Sequence, residues 1–418
     1  MDFNKYSNNL LICSSDSLGV KTMNALRRGL LNCCPCYAFS DSLTEEQVEL
    51  LRKANIDIKP NKKYFPVLNT NAGDLQFINH RFSRLAINSE LPDSDYENLV
   101  FLLNSDPLQP FVNESNKAVA ITAHDLIPYK YTEEDGVVNF TRLELDIARY
   151  FPYDTDLVTL LPGNSIMVAL FPIFDVGLNN SRWYPVCVRY RFVPRVEVKR
   201  EDSNLDEPDK VLVKEHEPLE RYRKNQKIMV ELGIEYNGRL SPKSALKRTL
   251  IYLRDQLLIF DREYNSGGGN FIKKENHPSR PHEQILTIND IPPNPETPNE
   301  TVGFLGNHNL VELITEQLVN FLFELYQKED DGETREKLIT HTLCACRKPH
   351  PADDLMIINY RLPLEINEFK ELLELEDSNI TIDGTTSEVE IQDRLFSHII
   401  TNIIDTLNTI TNSPDLNE

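Results

Sequence analysis

Apolar positions along the chain follow two different periods, and the changes of period mark out its elements. Leu10, Leu11 and Ile12 form a short run that predicts a strand over 8–14. Met23, Leu26, Leu30 and Leu31 then fall at i, i+3, i+7 and i+8, one face of a 3.6-residue period, and predict a helix over 22–31. Ser17 or Thr22 is placed to cap its start, and Pro35 ends it. Arg27 and Arg28 are adjacent, so they cannot both lie at the centre of that face. A strand at 35–39 and a short helix at 45–54 complete a β-α-β-α run.

Residues 77–85 carry a helical pattern that ends before Pro92, and 99–103 and 118–122 read as strands. Residues 129–150 are acidic and show no clear period. Strands at 157–161 and 165–171 flank the turn Pro162-Gly163-Asn164, a loop at 177–183 holds the single tryptophan, and Val186–Phe192 alternates like a half-buried strand. Residues 197–226 are dominated by charge and read as a solvated connection with little to bury. Alternation returns at 227–236, and Ser241-Pro242 opens a long helix to about Tyr264, with serine at the cap and proline at the first position. Leu246, Leu250, Leu253 and Leu257 form its stripe. Gly267-Gly268-Gly269 and the prolines from Pro278 to Pro298 read as a linker; the glycines lack the Gly-Lys-Ser/Thr that a phosphate cradle needs. Beyond it come a helix at 307–326, strands at 342–346 and 354–362, a helical or irregular stretch at 367–375, and a long helix at 387–410 with Ile391, Leu395, Ile399, Ile403 and Leu407 on one face.

At 418 residues the chain is long enough for two or three domains, and 40% hydrophobic with 26% charged residues is a globular composition. A net charge of −21 argues against broad nucleic-acid binding by the chain itself and favours basic partners, or a neighbour that contacts nucleic acid. No apolar run reaches membrane-spanning length. The start Met1-Asp2-Phe3-Asn4-Lys5 has no signal-peptide pattern, so the chain is expected inside the cell or a particle the cell packages, and not secreted. Seven cysteines without such a signal point to reduced thiols. Cys33-Cys34-Pro35-Cys36 looks like half a zinc site, whose other half would have to come from Cys344 and Cys346. Small buried thiols where a helix gives way to a strand need no such coincidence and are the preferred reading.

Five motifs in order then resemble a known family. Asn24-Ala25-Leu26-Arg27-Arg28 followed by Pro35 matches a helix signature Asn-Ser/Ala-Leu-Arg-Arg and its proline turn. Gln76-Phe77-Ile78-Asn79-His80-Arg81-Phe82 matches Glu-Phe-Ile-x-His-Arg-Leu, although the Gly and Pro that follow in the family are absent. Gly177 to Pro185 echoes a Gly-x₅-Trp-x-Pro segment that precedes a strand. Gly306-Asn307-His308-Asn309-Leu310 is a degraded His-Thr-Leu-Gly-Asn-Leu helix start, and the segment Cys344-Ala345-Cys346-Arg347-Lys348-Pro349-His350-Pro351 resembles a Tyr-Lys-x-x-His-Pro turn before a strand and a long final helix. The chain resembles a fusion of the two assembly subunits of multisubunit DNA-dependent RNA polymerases: the bacterial alpha N-terminal domains, the archaeal D and L subunits, and the eukaryotic third-largest and eleventh subunits. Such a fusion is similar to the arrangement in large DNA viruses of eukaryotes.

The resemblance implies an α+β chain holding two alpha-type dimerisation modules, the first interrupted by a mostly β insert. Its divisions would be 1–55 and 187–265 for module 1, 56–186 for the insert, 266–299 for the linker and 300–418 for module 2. It implies that the modules pair within the chain through the long helices, by way of Leu246, Leu250, Leu253, Leu257, Leu395, Ile399 and Ile403. It further implies that Asn24, Leu26, Arg27, Arg28, Phe77, His80 and Arg81 meet other polymerase subunits: the two largest, and small zinc-binding ones. DNA would be met only through the complex, in a host-cytoplasmic viral factory, a virion or a nucleus. Some relatives carry a cysteine cluster in the insert; here no cysteine lies between Phe39 and Trp183, so no metal or other cofactor is expected. Asp330-Asp331 and Asp353-Asp354 sit in predicted loops without the clustered aspartates that hold catalytic magnesium, and no nucleophile motif occurs, so no catalytic residue is expected. The other classes left open are a stand-alone scaffold and a zinc-dependent enzyme built on Cys33, Cys34 and Cys36.

Overall fold

The computed structural model describes residues 2–7, 9–15, 18–56, 66–69, 75–193, 196–199, 210–213, 229–267, 272–276, 278, 283–288, 313–314, 316–317, 344–347, 356–361 and 388–417. The chain is mixed α/β with antiparallel sheets. In order it forms β1 (Asp2–Ser7), β2 (Leu10–Ser15), α1 (Gly19–Asn32), β3 (Cys36–Ala38), α2 (Glu45–Lys53), β4 (Pro66–Asn69), α3 (Leu75–Ser83), β5 (Leu99–Leu102), β6 (Phe111–Val112), β7 (Val119–Thr122), β8 (Ile127–Glu134), β9 (Val137–Arg142), β10 (Asp156–Leu160), β11 (Ser165–Leu170) and β12 (Ile173–Asp175). Then come β13 (Val186–Phe192), β14 (Val196–Lys199), β15 (Lys210–Val213), β16 (Val230–Tyr236), α4 (Pro242–Asn265), β17 (Ile272–Asn276), β18 (Glu283–Ile288), β19 (Cys344–Arg347), β20 (Met356–Arg361), α5 (Glu388–Thr411) and α6 (Pro414–Asn417). Two compact units result: one from Met1–Cys33, Val188–Ile234 and Leu246–Glu418, the other from Cys34–Cys187 and Glu235–Ala245.

The first unit draws on both ends of the chain. Its sheets run β1-β2-β16-β13, β14-β15 and β17-β18-β20-β19. Along β18, Gln284, Leu286 and Ile288 are buried and the residues between are half-buried, the two-residue period of a sheet with one covered face. The helices bury one stripe each: Met23, Leu26 and Leu30 on α1, Leu246, Leu250, Leu253, Leu257 and Phe260 on α4, Phe396, Ile399, Ile403 and Leu407 on α5. At ~1.5–3 kcal/mol per buried side chain, these stripes supply the main drive to assemble the unit, before conformational entropy is set against it. Gly29 lets α1 approach α4: a Cβ there would stand 2.7 Å from Thr249 Cγ2. At the far end of α4, Tyr264 stacks on Phe396 of α5 with ring centroids 4.8 Å apart, and its hydroxyl donates to Asp393 at 2.8 Å. Lys274 completes this corner, 2.9 Å from Asp393 and 3.6 Å from the centroid of the Tyr264 ring.

Ser17 lies outside the described residues, and Thr22 lies inside α1 and is not its cap. Its N-cap, Leu18, has no side-chain cap. Instead the Glu316 carboxylate accepts from the amides of Lys21, at 2.7 Å, and Thr22, while Gln317 Nε2 donates to Thr22 Oγ1 at 3.2 Å. A carboxylate meets both needs of a helix start, the orphan N–H groups and the positive end of the dipole.

The second unit has its own core. A six-stranded antiparallel sheet runs β4-β11-β5-β8-β9, with β6 also on β11, beside the pairs β7-β10 and β3-β12. Phe101 sits at the centre of an aromatic cluster, 4.9 Å from Phe151 and 5.2 Å from Tyr150 between ring centroids. Helix α2 is capped by its own sequence: Thr44 Oγ1 accepts from Gln47 N at 3.2 Å, and Gln47 Oε1 accepts from Thr44 N at 2.9 Å.

Several expectations change. The boundary at 55/56 moves to 33/34, because β3 pairs with β12 and Phe39, Leu43, Val48 and Leu51 join the core of the second unit. The acidic stretch 129–150 holds a hairpin, with Glu134 opposite Val137 and Asp135 and Gly136 both at positive φ (51° and 79°) in its two-residue turn. The expected linker at 266–299 contains β17 and β18, which pair with each other and, through β18, with β20. The charged connection at 197–226 contains β15, paired with β14. Of the helix expected over 307–326 only 313–314 and 316–317 are described, all helical, and the turn at 348–351 and the stretch at 367–375 lie outside the described residues. No described helix is long and apolar enough to cross a membrane.

Candidate functional site

The residues singled out by sequence fall on both units. On the first unit α1 turns Met23, Ala25, Leu26 and Leu30 inward, and Asn24, Arg27 and Arg28 remain half-buried. Leu26, counted among the contact residues, is fully buried and belongs to the core. Arg27 Nε donates to Asn24 Oδ1 at 3.1 Å, one helical turn back. Asparagine in this signature therefore orients the first arginine, and leaves the terminal nitrogens of the guanidinium fork for other acceptors.

On the second unit α3 buries Ile78 and Phe82 and leaves Phe77, His80 and Arg81 exposed, Phe77 by 57%. The Arg81 guanidinium lies 4.9 Å from the centroid of the Phe77 ring and donates to Leu157 O at 3.4 Å. Cation and ring therefore present one combined face. The helix is held from behind: Asn79, buried, donates from Nδ2 to Asp41 O at 2.6 Å. The carboxylate of Asp41 pairs with Arg182, a nearly buried guanidinium that also reaches Asn180 Oδ1 at 3.1 Å and Phe39 O at 3.4 Å. Burial pushes the Asp41 carboxyl up, but the hydrogen bond and charge of Arg182, helped by Ser83 and His80, outweigh it and hold the group below its ordinary 3.8.

Asp41, Asn79 and Arg182 were missed in the sequence. Their one signal was position: Arg182 precedes the lone tryptophan, in a 3-10 turn over Ser181–Trp183. Trp183 is itself buried, with Nε1 donating to Ile173 O at 3.0 Å.

The long-helix residues proposed for pairing also have places. Leu246, Leu250, Leu253, Leu257, Ile399 and Ile403 are buried, and the side chain of Leu395 is outside the described residues. Leu253 Cδ1 would stand 3.9 Å from a Cβ at Gly29, so it packs toward α1. The contacts resolved between α4 and α5 are aromatic and polar, at Phe260, Tyr264 and Asn265 against Asp393, Phe396 and Ser397.

Cys33, Cys34 and Cys36 are buried, and Cys36 Sγ donates to Trp183 O at 3.2 Å. Among the described residues no three His, Cys, Asp or Glu side chains stand together as metal ligands. An open cavity of about 690 Å³ on the second unit is lined by Glu45, Glu46, Glu49, Glu133, Tyr96 and Tyr131 among others, and none of the sequence-predicted contact residues lines it. The two surfaces offer guanidinium groups, an imidazole and an exposed ring. Compared with models of known families and with curated proteins, the chain finds no match.

Proposed function

We propose that this chain is the non-catalytic assembly platform of a multisubunit DNA-dependent RNA polymerase, carrying two alpha-type modules in one polypeptide. One observation carries the reading beyond the motifs. Segments from opposite ends of the chain build one unit, with Glu316 and Gln317 closing the first turn of α1 and Phe396 of α5 stacked on Tyr264 of α4. Such intertwining is what two pairing subunits require when fused, and fusion removes a bimolecular assembly step.

In this reading Arg27 and Arg28 dock the second-largest subunit through carboxylates or backbone carbonyls, which their planar forks hold bidentately. Phe77, His80 and Arg81 form a second contact, to the same neighbour or to a small zinc-binding subunit. DNA is met only through the assembled complex.

The test is recovery of partners on a tagged full-length chain from its native cell. The chain should bring down two large subunits in equal amounts. Arg27→Ala with Arg28→Ala should lower that recovery at least tenfold while the far-ultraviolet circular dichroism stays unchanged, because both side chains lie outside the apolar stripe. Failure to recover large subunits with the unaltered chain ends the proposal; normal recovery with the double variant removes the role given to α1.

A further inference from the structure

Arg239 follows Gly238 in the turn after β16, and the turn is clamped on both sides. Its carbonyl accepts from Ser89 N at 2.8 Å, its amide donates to Asn237 Oδ1 at 3.2 Å, and Asn237 Nδ2 donates to Tyr184 O at 2.8 Å. The φ of +97° at Gly238 belongs to the left-handed region, and a Cβ there would stand 2.9 Å from both Ala86 and Tyr153. The arginine is thus set in a backbone with little freedom. It is only 7% exposed, and its Nε is buried with no hydrogen-bond partner.

The charged or titratable groups acting on it are Cys36, Arg84 and Cys187. Among the described residues none of these is a carboxylate, and Arg84 adds a second positive charge. Cys36 Sγ donates a hydrogen bond to Trp183 O at 3.2 Å. Two carboxylates on adjoining segments are committed elsewhere: Glu90 to Ser241 N at 2.6 Å and Ser244 Oγ at 2.9 Å, Asp41 to Arg182. Arg182 makes the contrast. It is equally buried, yet it has a carboxylate, an amide oxygen and a backbone carbonyl. A buried guanidinium with no counter-ion is costly, and arginine does not escape by losing its proton. With Nε inside, an anion would be met by the terminal nitrogens of the fork.

We propose that Arg239, with Arg84 beside it, is a binding site for an oxyanion, a carboxylate or a phosphate group. Arg239 supplies the fixed fork. Arg84 is exposed and tethered by Nη1 to Ser181 Oγ at 3.4 Å, where it is free to swing toward a bound anion. The inference does not depend on the polymerase reading, since it uses other residues and another chemistry.

The test measures the thermal midpoint of the full chain in sodium phosphate or sodium acetate from 1 to 50 mM, with sodium chloride holding ionic strength constant. Wild type should gain about 2–4 °C over that range with at least one of the two anions. Arg239→Met should lose the gain. In chloride alone the same variant should melt at or above the wild-type temperature, because an unpaired buried charge has been replaced by an apolar side chain. Arg84→Gln, at an exposed position where folding is not at risk, should move the response to roughly tenfold higher anion concentration. A gain with phosphate alone assigns a phosphate ligand, and an equal gain with acetate assigns a carboxylate such as a partner's acidic side chain. No gain over chloride in wild type, or an equal gain in Arg239→Met and Arg84→Gln, overturns the proposal.

Discussion

Helices α1 and α2 begin in opposite ways. Helix α2 carries its own start in consecutive residues, with Thr44 and Gln47 each accepting from the other's backbone amide. Helix α1 begins at a residue with no side-chain cap and takes its acceptor from Glu316, 295 positions away from Lys21 in sequence. A local cap forms as soon as its own turn forms. A remote cap forms only after the chain ends have met, so it ties the stability of α1 to folding of the whole unit. Under the proposed function, the arrangement would present the docking helix only when both ends of the chain are in place.

The sharpest way to break this contrast is at Gly19. Its φ is +77°, and a Cβ there would stand 2.6 Å from the Glu316 carboxylate. Gly19→Ala should destabilise the unit by about 2–3 kcal/mol, read from urea midpoints. Part of that loss is the clash with Glu316, so combined with Glu316→Ala it should cost less than the two single changes added; strict additivity would deny the contact. Next comes Glu316→Ala alone, at about 1–2 kcal/mol, with faster hydrogen exchange at the amides of Lys21 and Thr22 specifically. Protection of those two amides unchanged would place the cap elsewhere. Thr44→Ala should cost about 1 kcal/mol and leave α1 exchange untouched, because the loss stays within its own turn.

The gentlest handle is Asp41, behind α3. Its folded carboxyl titrates below the ordinary 3.8, so its contribution to stability is present above that value and is lost as pH falls through the lower folded value. Asp41→Asn should therefore lower the urea midpoint at neutral pH and flatten its further decline below about pH 4. An acid slope identical to wild type would mean that Arg182 does not hold the carboxylate.

The elements that were legible are those whose residues bury one clean stripe. The period of Met23, Leu26 and Leu30 and that of Leu246, Leu250, Leu253 and Leu257 point to helices that the structure contains, and Ser241 with Pro242 marks the start of the second, where Ser241 Oγ accepts from Ser244 N at 3.2 Å. The hairpin of β8 and β9 was hidden because Glu133 and Glu134 break the apolar alternation, although Asp135-Gly136 was the signal to weigh. Strands β17 and β18 were hidden because Lys273, Lys274 and Glu275 look like linker; their order comes from pairing and from a neighbour, β20. Of the candidate surfaces, the exposed tips Phe77, His80 and Arg81 were readable as a motif, whereas Asp41, Asn79 and Arg182 behind them were not, since none lies within that motif's outward face.

What the sequence by itself determined is therefore the list of faces: which side of α1, α3, α4 and α5 turns from water and which residues are left on the other side. Hydrophobic burial is written in spacing, and spacing survives in one dimension. Only the tertiary structure decided which distant group completes each of them. Glu316 on the start of α1, Arg182 on Asp41 and Phe396 on Tyr264 all depend on directional contacts between residues far apart in the chain. A hydrogen bond or ion pair is specified by a meeting in space, and no periodicity along the chain records it.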